Sequence, residues 1–195
     1  MTAFDIETFW DSETREHLNA AQMTFASLQP VFGQWLAQGV RTVQGGGKIL
    51  FFGNGGSASD AQHLATELTV RFIKDRAPIP AIALTTDTSA LTAIGNDLGF
   101  DHLFSRQVDA LGRKGDMAVG ISTSGNSPNV LKALWTARDR GLVTVGLAGR
   151  DGGKMHDCCD IMIVVPSQVT ARIQEMHITL GHLFCGGLEQ SLGLV

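Results

Sequence analysis

His63 and Glu67 stand four residues apart in a stretch that reads as helix, so imidazole and carboxylate share one face about one turn apart. Such a pair can hold a divalent cation, or act as a base and its partner, although His-x-x-x-Glu also occurs on solvated helix faces. A second group, Gln174, Glu175, His177 and His182, interrupts an otherwise apolar C-terminal segment, where polar side chains need partners or a site. Gln174 and His182 are eight residues apart. On one straight helix their Cα atoms lie about 12 Å apart and their directions differ by about 80°. A single helix therefore does not offer both to one metal ion, whereas two copies from different subunits do, and the expectation is a site at a subunit interface. His17, His102 and His156 have no matching polar cluster and are expected to be surface or locally hydrogen-bonding residues.

Two loops could hold a phosphate. Gly53-Asn54-Gly55-Gly56-Ser57-Ala58 follows an apolar run and fits the dinucleotide pattern G-x-G-x-x-A. That pattern also requires an acidic residue at the end of the second strand to hold a ribose, about 20 residues on. Here the second strand ends in Leu84-Thr85-Thr86, and Asp87 comes 34 residues after Gly53. No nucleotide cofactor is expected, and the glycines serve either a tight turn or a phosphate. The other loop, Ser122-Thr123-Ser124-Gly125-Asn126-Ser127-Pro128, offers three hydroxyls and a glycine, then Ser127 as the N-cap of a helix with Pro at its first position. Backbone N–H groups, the positive end of the helix dipole and the hydroxyls would converge there on an anion without any Lys or Arg.

These residues need a frame. From Phe4 to about Gln44 apolar positions recur at helical spacing, with Pro30 marking a break between two helices and Gly45-Gly46-Gly47 ending the extension. Strand-like runs follow at Lys48 to Gly53, Ala81 to Leu84, Asp116 to Ser122, Val143 to Leu147 and Ile161 to Val165. Helical stretches separate them at Ser57 to Phe72, Thr88 to Ile94, Ser127 to Arg140 and Gly153 to Cys158, and a helix from about Ala171 to Leu192 closes the chain. The alternation predicts an α/β fold: a doubly wound, mainly parallel five-stranded sheet with an N-terminal helical extension (1–45) before the core (46–195). Consecutive apolar residues in strands two and five predict that both of their faces are covered. In such sheets ligands sit beyond the carboxyl ends of the strands, which here means the loops after strands one, two and three.

The chain's 195 residues, 44% of them hydrophobic, suffice for one well-buried core and are too few for two separate domains. A net charge of −4 with scattered Lys and Arg argues against a nucleic-acid surface. The acidic start (Asp5, Glu7, Asp11, Glu13) is unlike a signal peptide, and no apolar run reaches the length of a membrane span. Three cysteines, two of them adjacent at Cys158 and Cys159, make neither a disulfide framework nor a metal-ligand spacing, so reduced thiols in the cytoplasm are expected.

Taken together, Gly53 to Ser57, Asp60-Ala61-Gln62-His63, Glu67-Leu68-Thr69, Thr92 to Phe100, Ile121 to Ser127 and Ala171 to His182 resemble the sedoheptulose 7-phosphate isomerases of the sugar-isomerase (SIS) family over nearly the whole chain. The resemblance implies conversion of a seven-carbon ketose phosphate to D-glycero-D-manno-heptose 7-phosphate, the first step toward activated heptose for bacterial surface polysaccharide such as lipopolysaccharide. It implies a single SIS domain over 1–195, a homotetramer and, in some members, zinc, one ion per subunit. It places substrate contacts on Asn54, Gly55, Gly56, Glu67, Asn96, Asp97, Ser122, Thr123, Ser124, Ser127 and Gln174, and metal ligands on His63, Glu67, Gln174 and His182. Glu67 and His182 would also carry proton transfer, in tension with ligation, because a zinc-bound carboxylate is a poorer base. A non-enzymatic branch of the same family binds the bacterial replication initiator. The segment Thr170 to His177 resembles both branches, and the presence of Glu67 and His182 favours the isomerase.

Overall fold

In the computed structural model, which describes residues 4–195, the chain alternates between strands and helices. The elements are α1 (Ile6–Gln44), β1 (Ile49–Gly53), α2 (Gly56–Thr69), β2 (Ala81–Ala83), α3 (Thr88–Asp97), α4 (Ser105–Leu111), β3 (Met117–Ile121), α5 (Pro128–Asp139), β4 (Val143–Gly149), β5 (Ile161–Val165) and α6 (Thr170–Ser191). All five strands are parallel, in the order β2-β1-β3-β4-β5. The order reverses between β1 and β3, whose last residues, Gly53 and Ile121, are register partners. The two loops singled out by their composition therefore emerge side by side at the topological switch point, where doubly wound sheets bind ligands.

The alternation of side chains along β1 explains why helices cover both faces. Ile49 and Phe51 join a core with Trp35, Leu64, Leu68, Ile173, Phe184 and Leu188, from α1, α2 and α6. Leu50 and Phe52 point the other way, to Phe104, Val108, Val130 and Leu134 of the α4 and α5 side. On the first face α1 lies along α6: the rings of Trp35 and Phe184 stack at 4.1 Å and 5°. Gly39 permits this, since a Cβ there would fall 2.7 Å from the Phe184 ring.

The structure departs from the sequence expectations in four places. Pro30 does not break the extension, because α1 runs through it as one helix of 39 residues, capped at its start by Asp5 accepting from the amides of Glu7 and Thr8. Pro30 and Ala26 both face solvent, so water can satisfy the carbonyl that the missing N–H leaves free, while burial of Trp35 and Gly39 holds the following turns. The strands covered on both faces are β1, β3 and β4, whose residues are all buried except the first of β4, Val143. By contrast β2 and β5 are the sheet edges, and Ile82 in β2 is 39% exposed. An apolar run reports affinity for a core but not a position within the sheet. Finally, α4 was not foreseen: its seven residues have no side-chain cap and too few apolar repeats to register as helix. The stretch after β4 forms a 3-10 segment, Gly153–Asp157, rather than an α-helix.

Because Pro30 interrupts an exposed helix interior without a compensating contact, Pro30→Ala should stabilise the protein by about 1–3 kcal/mol in chemical denaturation. A loss of stability would show that the ring makes a contact the helix needs.

Candidate active site

The first turn of α2 has no side-chain cap. Its N-cap, Gly55, takes φ +57 and ψ −123, a conformation that side-chain-bearing residues avoid, and it aims the glycine loop over the end of β1. Gly56 answers a different demand, for a Cβ on it would lie 2.7 Å from Nε2 of Gln174 on α6. Gln174 thus rests against the glycine loop. Asn54 beside it exchanges reciprocal amide hydrogen bonds with Asn129, at 2.8 and 2.9 Å, tying the glycine loop to the start of α5.

The hydroxyl loop after β3 is braced by its own side chains. Ser122 and Ser127 share a hydrogen bond at 2.9 Å between hydroxyls, so Ser127 stands at the N-cap position of α5 without capping it, contrary to the sequence expectation. Ser124 Oγ accepts from the amide of Asn126, and Thr123 contributes its carbonyl to Gly149 of β4. Gly125, at φ +64, packs directly on the backbone of Gly152, where any Cβ would collide with the carbonyl. The loop is held by these hydrogen bonds and carries no Lys or Arg, which suits reversible binding of a phosphate by N–H groups and hydroxyls.

Two helical turns along α2 from Gly56, a second group of atoms meets. His63 Nε2 lies 2.9 Å from His182 Nε2 and 3.1 Å from Glu67 Oε1. The ligand atoms of these three residues all fall within 4.8 Å of one another. The helices can come this close because of Gly181, whose Cβ, if present, would stand 2.5 Å from the Leu64 side chain. On the other side the Phe72 ring stacks on the His182 imidazole at 5.5 Å. Burial, and next the neighbouring His63, hold His182 below the usual histidine range, against the opposing pull of Glu67. Two imidazole nitrogens facing at this distance either share one proton or turn both lone pairs to a cation. Ligands of tetrahedral zinc stand about 3.3 Å apart, given bonds of about 2.0–2.1 Å, so two neutral histidines and a carboxylate at these spacings fit such an ion.

The trio belongs to one chain, so no second copy is needed to join Glu67 with His182. The eight-residue gap expected from the sequence separates Gln174 instead, leaving it against Gly56 at the start of α2, two turns before His63. Asn96 and Asp97 are also apart, exposed at the end of α3 and hydrogen-bonded to each other at 2.7 Å. The remaining polar residues of α6 have structural partners: Glu175 pairs with His17 and Arg172, and His177 bonds to the Ala148 carbonyl. His102 and His156 make local contacts, to Lys132 and to the Asp151 carbonyl.

Residues 36–149 match the SIS domain family. The phosphoheptose isomerase of Paramagnetospirillum magneticum is 56% identical over 182 residues, 93% of this chain and 95% of its own length. That of Helicobacter hepaticus is 50% identical over 188 residues, 96% of this chain and 95% of its own length. The solved structure of the phosphoheptose isomerase from Neisseria gonorrhoeae superposes with a TM-score of 0.90 at 46% identity, covering 95% of this chain and 100% of that one. The chain belongs to the phosphoheptose isomerases of the SIS-domain family. The fold expected from the sequence is thereby borne out, and these relatives do not favour the initiator-binding alternative. Sequence reading missed Gly181, Phe72 and Asn129, whose roles depend on which helices and loops cross. A glycine one residue before His182 was the only local sign.

Beside the trio, Asp60 is a carboxyl held up at about 6 by burial, partly offset by His63, and its Oδ2 has no hydrogen-bond partner. A carboxyl whose folded-state pKa lies above its unfolded value favours the folded state only while protonated, so its ionisation weakens the fold as pH rises from about 4 to about 6. Asp60→Asn should therefore raise the melting temperature at about pH 8 more than at about pH 4. Equal shifts at both values would show that Asp60 is not strained by burial.

Proposed function

We propose that this chain converts D-sedoheptulose 7-phosphate to D-glycero-D-manno-heptose 7-phosphate in the cytoplasm, as a homotetramer, with Glu67 and His182 moving the protons. The observation that carries this reading is the meeting of Glu67, His63 and His182 two helical turns from the paired phosphate-type loops. A sugar phosphate anchored by its phosphate at the loops would reach the trio with its carbonyl end. A nucleotide is disfavoured, since no acidic residue ends β2 where a ribose would need it.

Exchange of a ketose for an aldose moves one hydrogen from C1 to C2 and one between the two oxygens. Glu67 removes the C1 proton while His182 hands a proton to O2, which gives a cis-enediol. Glu67 then returns its proton to C2 as His182 takes the proton from O1, leaving the aldehyde at C1 and both residues as they began. His182 suits this role because its burial keeps the imidazole neutral near pH 7, able to give a proton and accept another. Zinc, held by the Nε2 atoms of His63 and His182 and one oxygen of Glu67, would polarise the substrate carbonyl and offset charge on its oxygen, and the second Glu67 oxygen and His182 Nδ1 would stay free for the protons. At the other end Asn54, Gly55, Gly56, Ser122, Thr123, Ser124 and Ser127 hold the phosphate, so binding energy there positions the reacting carbons.

Gln174, Asn96 and Asp97 do not reach the trio within one chain, and the reading assigns them to a site shared between subunits. A neighbouring copy's Gln174 completes the ligand set, and Asn96 and Asp97 close over the substrate. Exposed apolar side chains along α1, among them Trp10, Leu18 and Phe25, give the surface that such assembly would cover.

Ser124→Ala should raise KM by about 5–30-fold with kcat little changed, through loss of one hydrogen bond to a charged group worth about 1–2 kcal/mol. Glu67→Gln should leave KM near its parental value and lower kcat by about a hundredfold or more, as for loss of a positioned base. Steady-state assays that found both variants impaired in kcat alone would contradict this division. Mixing Gln174→Ala with His182→Ala under subunit exchange should restore part of the activity, because some hybrid sites regain both groups. A mixture that stays inactive after proven exchange would confine Gln174 to its own chain's site.

A further inference from the structure

Arg76 and Glu189 form an ion pair at 2.7 Å in which both side chains are only 1% exposed. Neither lies in the loops or the trio. Charges are rarely buried this completely, because leaving water costs much of what their attraction returns, so such a pair calls for an account beyond stability. Its hydrogen bonds supply one. The guanidinium donates from Nη2 to the carbonyl of Glu67 at 2.8 Å and from Nη1 to the carbonyl of Leu68 at 2.7 Å, satisfying the last turn of α2. Its Nε donates to Glu189 Oε1, which also accepts the backbone amide of Phe72 at 3.1 Å. Phe72 in turn lays its ring on His182, and Gly186 on α6 leaves it room.

We infer that the buried Arg76–Glu189 pair is a positioning element for the proton-transfer groups, fixing Glu67 through its main chain and His182 through the Phe72 ring. Two bonded routes start from one guanidinium and end on the two residues whose relative placement the chemistry depends on. Glu189 sits two turns beyond His182 on α6, and Arg76 closes the segment that leaves α2, so the pair ties together the far ends of the two helices that carry the trio. The glycine loop meets the opposite ends of those helices, the hydroxyl loop leads into α5, and the pair makes no hydrogen bond to either. Disturbing it should therefore alter chemistry and metal binding without altering phosphate anchorage. The inference rests on the assignment of Glu67 and His182 given above.

The test compares the parental protein with three variants of the clamp, and with Glu67→Gln and His182→Ala as references, in melting temperature, kcat, KM for sedoheptulose 7-phosphate and Zn²⁺ affinity after metal stripping. Arg76→Lys keeps a buried charge but cannot span both α2 carbonyls and Glu189 at once. The double variant Arg76→Met with Glu189→Leu removes both charges together, so no unpaired charge stays buried, but it also takes the partners from the Glu67 carbonyl and the Phe72 amide, and its melting temperature should fall. For both, kcat and Zn²⁺ affinity should fall by about 10–100-fold while KM stays within about twofold. A double variant with parental kcat and Zn²⁺ affinity would overturn the inference, since the pair would then serve stability alone. Should the double variant fail to fold, Phe72→Leu decides, because it leaves the ion pair intact: reduced kcat at constant KM supports the relay, and parental kcat refutes it. Glu67→Gln and His182→Ala, measured alongside, separate the two levels. If they keep parental kcat, the assignment beneath the inference falls. If they lose it while the clamp variants do not, only the clamp falls.

Discussion

The crossing of α2 over α6 at Leu64 and Gly181 is the constraint on which the site depends. Only a hydrogen at position 181 lets the Leu64 side chain settle against the helix backbone, and the residues next to this contact are His63 and His182. Moving the helices apart by the width of a methyl group would separate the two Nε2 atoms beyond hydrogen-bonding or shared-ligand distance. The crossing is fixed by burial on one face, where Leu64, Leu68, Leu180, Phe184 and Leu188 join β1 and β3 in a single core. Packed cores resist small displacements, so a hydrophobic contact sets the precision of a polar site.

The two ends of α2 meet opposite electrostatic demands. Its N-terminus faces the glycine loop and is free of side-chain caps, which favours an anion. Its last carbonyls would suffer unmet if buried, and the Arg76 guanidinium satisfies those of Glu67 and Leu68. Between these ends, His63 and Glu67 occupy positions one turn apart on the face turned to α6. One helix thus links the place where a phosphate would be held to the place where protons would move, and its length sets the reach required of the substrate.

Much of this was legible in the sequence because it was written in local terms. Parallel strands, the glycine and hydroxyl loops and the His-x-x-x-Glu pair each depend on residues close in the chain. The wrong readings have a common cause, in that tertiary context overrode a local rule. Pro30 reads as a break, yet its freed carbonyl faces solvent and the flanking turns are anchored, so the helix continues. Ser127 stands where a cap belongs, but Ser122 offers a nearer partner. The place of β1, β3 and β4 as the inner strands depended on sheet order, which apolar content alone does not encode. Phe72, Arg76 and Glu189 were invisible for the same reason, being distant from one another in sequence and ordinary in type.

Polar residues on a buried helix gain meaning only when their partners are counted. Along α6, Arg172 binds the Glu13 carbonyl and Glu175, and Glu175 also meets His17. His177, driven down to about 4 by burial, bonds the Ala148 carbonyl as a neutral ring, and Glu189 holds Arg76. Each of these has a fixed protein partner, and the nitrogens left over on two of them, Arg172 Nε and His177 Nδ1, are buried out of a ligand's reach. Gln174 and His182 differ. Both are only partly buried, one beside the glycine loop and the other facing His63, whose Nε2 can share a proton or a cation but cannot serve as a permanent counter-charge. A polar side chain that folding leaves half-answered at a partly exposed position retains free energy of interaction for something else, which is why these two positions of the helix, and not its buried ones, are open to a ligand.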